Sequence, residues 1–80
     1  MNYILYIIKS EVDGSFYIGY SSDIEKRLAQ HNSGMSFYTS RKSPWKLVHV
    51  EEYKTKREAI YRERYLKSLK SHQKIKELVQ

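Results

Sequence analysis

Five side chains in this sequence have the types and spacing for chemistry at a phosphate: Tyr6, Tyr17, Arg27, His31 and Glu63. Two phenols can hand protons on, a guanidinium can neutralise anionic oxygens, and an imidazole can do either. The carboxylate is the most telling of the five. Ala59, Ile60 and Leu66 flank Glu63 at helical spacing, and an ionised group inside an apolar stripe is costly unless a cation, a metal or cleft water meets it. A buried salt bridge to an arginine would satisfy it too. Arg27 and His31 stand four residues apart, on one helical stripe beside Ile24, where an arginine can also snorkel from the edge of a core. Phosphodiester cleavage needs a positioned water, neutralisation of the phosphoryl oxygens and help for the leaving oxygen, and this set could supply all three. Other chemistries lack their parts: there is no cysteine, no Gly-rich phosphate loop, no HExxH and no carboxylate pair at glycosidase spacing.

These residues need a scaffold, and the pattern predicts one. Tyr3–Ile8 is a short aromatic and β-branched run that reads as a strand, Asp13-Gly14 signals a hairpin turn, and Ser15–Gly19 is its partner. An even-length turn places Tyr6 and Tyr17 on one face and Leu5, Ile7, Phe16 and Ile18 on the other, the expected core side. Ser22-Asp23-Ile24-Glu25 has the form of a capping box and predicts a helix from Asp23 to about Asn32, stopped by Asn32-Ser33-Gly34. A polar loop over 34–43 ends at Pro44, and Trp45–Val50 reads as a third strand. Thr55-Lys56-Arg57-Glu58 is a second capping box, opening a helix to about Leu69, and Ser71 is expected to cap a last helix through Leu78. The fold class is therefore α+β: a small three-stranded antiparallel sheet flanked by helices in the order β-β-α-β-α-α.

Eighty residues without cysteine are expected to form one domain, spanning 1–80, that stands on a single core. Eight tyrosines, one tryptophan and 40% hydrophobic residues argue against disorder. The lack of an apolar run near ~20 residues or of a signal-peptide pattern leads us to expect a cytoplasmic protein without a membrane partner. The net charge of +6 is unevenly placed. Residues 1–40 carry three cations and four anions, whereas residues 41–80 carry twelve cations and five anions. A basic second half suits nucleic acid or an anionic membrane, and equally a solubilising lysine-rich helix.

The order of these residues resembles the GIY-YIG nuclease family over nearly the whole chain. Tyr17-Ile18-Gly19 matches the second half-motif, and Tyr6 stands eleven residues earlier, at the spacing of the first. Arg27, His31 and Glu63 fall where the family carries its arginine, its histidine or tyrosine, and its metal-binding glutamate. The segments His31-Asn32-Ser33-Gly34, Tyr38-Thr39, Pro44–Val48 and Arg62–Lys67 look like the small stand-alone bacterial branch, which consists of the catalytic module alone. Two positions depart from the pattern: Ile4 replaces the first glycine, and no asparagine follows Leu69.

The resemblance implies a metal-dependent endonuclease that hydrolyses DNA, structure-selective and linked to repair or recombination. It implies Glu63 holding Mg²⁺ or Mn²⁺, Tyr17 as general base with Tyr6 orienting the water or exchanging that role, Arg27 stabilising the phosphorane charge, and His31 assisting proton transfer or binding phosphate. Arg41, Lys46, Arg57, Arg62, Arg64, Lys67 and Lys70 would hold the nucleic-acid backbone, DNA foremost and RNA as a second substrate. No small-molecule cofactor is expected, and a homodimer or a partner protein would supply targeting. The alternative is a non-catalytic DNA- or RNA-binding module that retains the fold. His49 reads as a plain strand histidine, Trp45 and Phe37 as core or loop anchors.

Overall fold

The computed structural model describes residues 2–33 and 41–79. Three strands, β1 (Tyr3–Ser10), β2 (Phe16–Ser21) and β3 (Trp45–Tyr53), alternate with helices α1 (Ile24–Asn32), α2 (Lys56–Ser68) and α3 (His72–Val79) in the expected order β-β-α-β-α-α. The sheet is antiparallel with strand order β2-β1-β3, so β1 is central. Phe37, Tyr38, Thr39 and most of the predicted polar loop lie outside the described residues. Among the described residues, no helix is long and apolar enough to cross a membrane.

The β1–β2 hairpin closes with Gly14 at φ 77°, a left-handed conformation that glycine adopts without steric cost. The Asp13 carboxylate accepts from the Ser15 amide and hydroxyl and rigidifies the turn. The resulting register pairs Tyr6 with Gly19, Ile7 with Ile18 and Ile8 with Tyr17. Tyr6, Ile8, Tyr17 and Gly19 therefore share one face, and Leu5, Ile7, Phe16 and Ile18 the other, as parity requires.

Both faces are covered. On the expected core side, Leu5, Ile7 and Ile18 pack with Leu66 of α2 and Ile75 of α3. On the tyrosine side, Tyr6, Ile8 and Trp45 form a second cluster, joined by Ile24 and Leu28 of α1. Full burial of each such aliphatic side chain contributes about 1.5–3 kcal/mol, so the two clusters together fasten three helices to one thin sheet.

A register shift at Ile7/Ile8 lets β3 serve both faces. Ile8 pairs with Leu47 but Ile7 pairs with His49, so Val48 is an extra residue, and the alternation of β3 inverts there. Trp45 thus enters the tyrosine-side cluster while Tyr53, an even number of residues later, packs on the opposite one.

Local caps set the helix starts. Asp23, in extended conformation, caps α1 by accepting from the Lys26 amide at 3.1 Å. The predicted Ser22–Glu25 capping box does not form. The Ser21 hydroxyl bonds both the amide and the carbonyl of Asp23 and fixes Asp23 itself as the half-in residue. At α2 the expected pair does form: Thr55 accepts from the Glu58 amide and donates to its carboxylate. Ser71 accepts from the Lys74 amide at the head of α3.

Candidate active site

Four of the five singled-out residues meet on the tyrosine face of the sheet. Tyr6 is 1% exposed, on the central strand, and its hydroxyl lies 2.9 Å from Nε2 of His31, itself fully buried in the last turn of α1. Arg27, one turn earlier on α1, donates to the Gln30 side chain at 3.1 Å, and its charge is felt at Tyr6, Tyr17 and His31. The Tyr6 hydroxyl and His31 Nε2 share one buried hydrogen bond, in which the direction of donation follows the imidazole tautomer. The Tyr17 ring completes the group, with its centroid 4.8 Å from His31 and 6.4 Å from Tyr6.

The electrostatics follow from burial beside a cation. Burial raises the Tyr6 pKa above its ordinary value of 10, and the nearby Arg27 guanidinium opposes this without cancelling it. Burial, then the Arg27 charge, lowers that of His31. Arg27 is held still more firmly protonated, chiefly by the neighbouring Tyr6 phenol. At neutral pH the site therefore contains a protonated buried phenol, a neutral imidazole and a fixed positive charge.

Gly19 makes the arrangement sterically feasible. A Cβ on it would lie 2.7 Å from the Tyr6 hydroxyl oxygen, 2.9 Å from Cζ and 3.2 Å from the Tyr17 ring. Glycine lets the backbone of β2 touch the phenol of its neighbour strand. The sequence signal was present in the glycine opposite Tyr6, but only the register reveals the contact.

Glu63 approaches from the other side of the sheet's β2 edge. Its side chain is 18% exposed, at the margin of the Ala59–Leu66 stripe rather than inside it, and its negative charge is felt at Tyr6. Lys67, one turn on, sits 3.5 Å from the carboxylate. Lys67 also lines an open cleft of about 450 Å³ with Phe16, Tyr17 and Ile18, and a smaller neighbouring groove with Lys70 and His72. The cleft therefore joins the exposed side of Tyr17 to the cations at the end of α2.

The remaining predicted contact residues do not gather there. Arg62 is committed to Glu51 through two bonds of 2.9 and 3.1 Å. Arg57 lines a different cleft with Tyr53 and Tyr61, Arg64 is exposed on α2, and Lys46 lines a hollow with Lys9 and Glu11 at the hairpin end of the sheet. Arg41 is exposed just before β3.

Two supporting groups carry no early signal. The Asn32 side chain grips the backbone of Trp45, accepting from its amide at 2.6 Å and donating to its carbonyl at 3.2 Å, and so ties the end of α1 to β3. Glu51 accepts from Arg62, from the Tyr53 hydroxyl at 2.6 Å and from His49 at 2.8 Å. Burial alone would raise the Glu51 carboxyl, but these bonds outweigh it and hold it at about 2. His49-x-Glu51-x-Tyr53 does show the required alternation, yet the bulge decides which face it occupies.

The donor set limits which metal could be held. Among the described residues no group of three or more His, Cys, Asp or Glu stands together, so a closed zinc-type site is absent. A single part-exposed carboxylate beside a cleft does fit a hard cation that keeps most of its waters and takes further oxygens from a phosphate.

A small α+β sheet domain with paired tyrosines, an arginine and a histidine on one face and a carboxylate at its edge matches a known class. The model of the GIY-YIG catalytic domain aligns with residues 2–76, and the chain belongs to this nuclease family. It is 44% identical to a UPF0213 protein of Staphylococcus saprophyticus over 90% of this chain and 88% of that one. It is 45% identical to a UPF0213 protein of Clostridium perfringens over 94% of this chain and 80% of that one. The solution NMR structure of a UPF0213 protein from Bacillus halodurans superposes with a TM-score of 0.63 at 38% identity, covering 99% of this chain and 83% of that one.

Proposed function

We propose that this chain is a divalent-metal-dependent endonuclease that hydrolyses DNA phosphodiester bonds, selects its substrate by structure and serves repair or recombination. The observation that carries the reading is the gathering of Tyr6, Tyr17 and His31 on one face beside the Arg27 charge, with the Glu63 charge reaching Tyr6.

Tyr17 fits the base because it faces the cleft, whereas Tyr6 is sealed in and held protonated. As the phenolate, Tyr17 would take a proton from the attacking water as the new P–O bond forms, while the P–O bond on the far side breaks and the leaving oxygen takes a proton from solvent. Arg27, whose charge reaches Tyr17, would stabilise the phenolate and the charge that builds on the phosphoryl oxygens. Tyr6 would orient this group, held in place by its bond to His31. Glu63 would hold Mg²⁺ or Mn²⁺, which supplies Lewis-acid polarisation of the phosphate when bound. Lys67 and Lys70 line the approach to Tyr17 and suit the phosphates on either side of the scissile bond.

The test is incubation of the full chain with supercoiled plasmid, branched DNA and single strands in Mg²⁺, Mn²⁺ or EDTA. Cleavage that needs metal and falls about 100-fold or more in Glu63→Ala supports the reading. Salt-sensitive binding with no cleavage of any substrate, unchanged in that variant, would instead establish a binding module.

A further inference from the structure

The outward side of α2 carries two large, exposed aromatics that belong to neither core cluster. Tyr61 is 77% exposed and Tyr65 is 50% exposed, and their spacing of four places them side by side. We propose that these two rings form a stacking platform for unpaired bases, so that the nucleic acid this chain binds carries a single-stranded segment. The inference rests on the nucleic-acid reading above and extends it from backbone contacts to bases.

Three features favour this occupant. The rings are surrounded by positive charge: Lys56, Arg57 and Arg64 are exposed on the same helix, and Lys54 precedes it. The acidic neighbours Glu58 and Glu51 are engaged, by the Thr55 hydroxyl and by Arg62. Second, the platform is braced: the Arg62 guanidinium lies 5.4 Å from the Tyr65 centroid while Glu51 holds its far side. Third, Tyr61 borders a cleft of about 520 Å³ with Tyr53, Arg57, Glu58 and Arg62, large enough for a base beside the ring. Alternating aromatics and arginines suit single strands, because each unpaired base offers an open face to stack while the cations track its phosphates. A duplex hides those faces. A second copy of this chain fits poorly, since each copy carries a net charge of +6 and would bring arginines against arginines.

Residues two apart on a helix point ~200° away from each other. Tyr61 and Tyr65 thus face away from Glu63, and the platform is a contact separate from the cleft at Tyr17.

The test is fluorescence anisotropy in EDTA, where no cleavage intervenes, with a dye-labelled oligo-dT and a hairpin duplex of equal charge. Tyr61→Ala and Tyr65→Ala should each weaken oligo-dT binding about 5- to 50-fold and leave the duplex within about twofold. The phenylalanine variants should retain binding, and the slope of affinity against salt should be unchanged, because no charge is lost. Equal losses on both probes, or no loss on oligo-dT, overturn the proposal. So does a wild-type dimer in sedimentation that Tyr61→Ala dissolves, which would assign the rings to self-association. Because binding is read without metal, this result stands apart from the Glu63→Ala cleavage test.

Discussion

Gly19 and Tyr6 face each other across the β1–β2 ladder so closely that a methyl group on Gly19 would overlap the phenol oxygen. The phenol cannot swing aside, because it is 1% exposed and hydrogen-bonded to His31. Gly19→Ala should therefore cost about 1–3 kcal/mol, the range for overpacking a filled core. Thermal unfolding would read this as a drop of roughly 4–8 °C per kcal/mol, and cleavage should fall with it. An unchanged midpoint would mean that the strands can part at no cost.

The neutral state of His31 predicts an acid-side loss of stability. Burial and the Arg27 charge keep its folded pKa below the ordinary 6.5. As pH falls below about 6.5 the unfolded chain takes up a proton that the folded chain refuses, so stability declines across that window. Unfolding midpoints at intervals from pH 8 to 5 should show the decline in the native chain. His31→Gln should lose that part of the slope, and its persistence in full would assign it to another group.

Lys67 competes for the carboxylate proposed as the metal ligand. The pair is 3.5 Å apart and Lys67 is 53% exposed, so their attraction is worth only about 0.2–1 kcal/mol. Lys67→Ala should tighten Mn²⁺ binding by about 1.5- to 5-fold in a titration without DNA. With DNA present it should weaken phosphate binding, and the opposite signs separate the two roles.

Glu51 is the acid-stable partner of α2. Its carboxyl, held at about 2 in the folded chain against an ordinary 4.5, contributes stability that is complete above pH 4.5 and is lost as pH falls toward 2. Glu51→Gln should cost roughly 1–3 kcal/mol at neutral pH, because Arg62 is left half-buried with a neutral partner. Denaturant midpoints at pH 7 and pH 3 would test this, with a smaller difference between native and variant at pH 3.

The elements were legible because local signals agreed. The Asp13-Gly14 turn has even length, so parity alone placed Tyr6 and Tyr17 together, and the Thr55–Glu58 pair marked the start of α2. Glu63 was legible as an anomaly on its stripe, though it sits at the stripe's margin instead of within the core. Other features depended on partners distant in sequence. A second cluster on the tyrosine face requires α1 to fold over it, which no local pattern announces. The bulge at Val48 decides where His49, Glu51 and Tyr53 point, and one extra residue in a strand leaves no compositional trace. The same limit explains Ser22 and Asp23: both are good caps, and only the Ser21 hydroxyl chooses between them.

The two tyrosines of the site stand on strands of unequal security. Tyr6 belongs to the strand paired on both sides, whereas Tyr17 belongs to one paired on a single side. Amide hydrogens around Tyr6 should thus exchange only on opening of the whole domain, and those around Tyr17 through local fraying. The tyrosine pair thus joins an anchored half to a yielding half. In the proposed mechanism Tyr17, the group that would meet the water, can adjust without disturbing the Tyr6–His31 bond behind it.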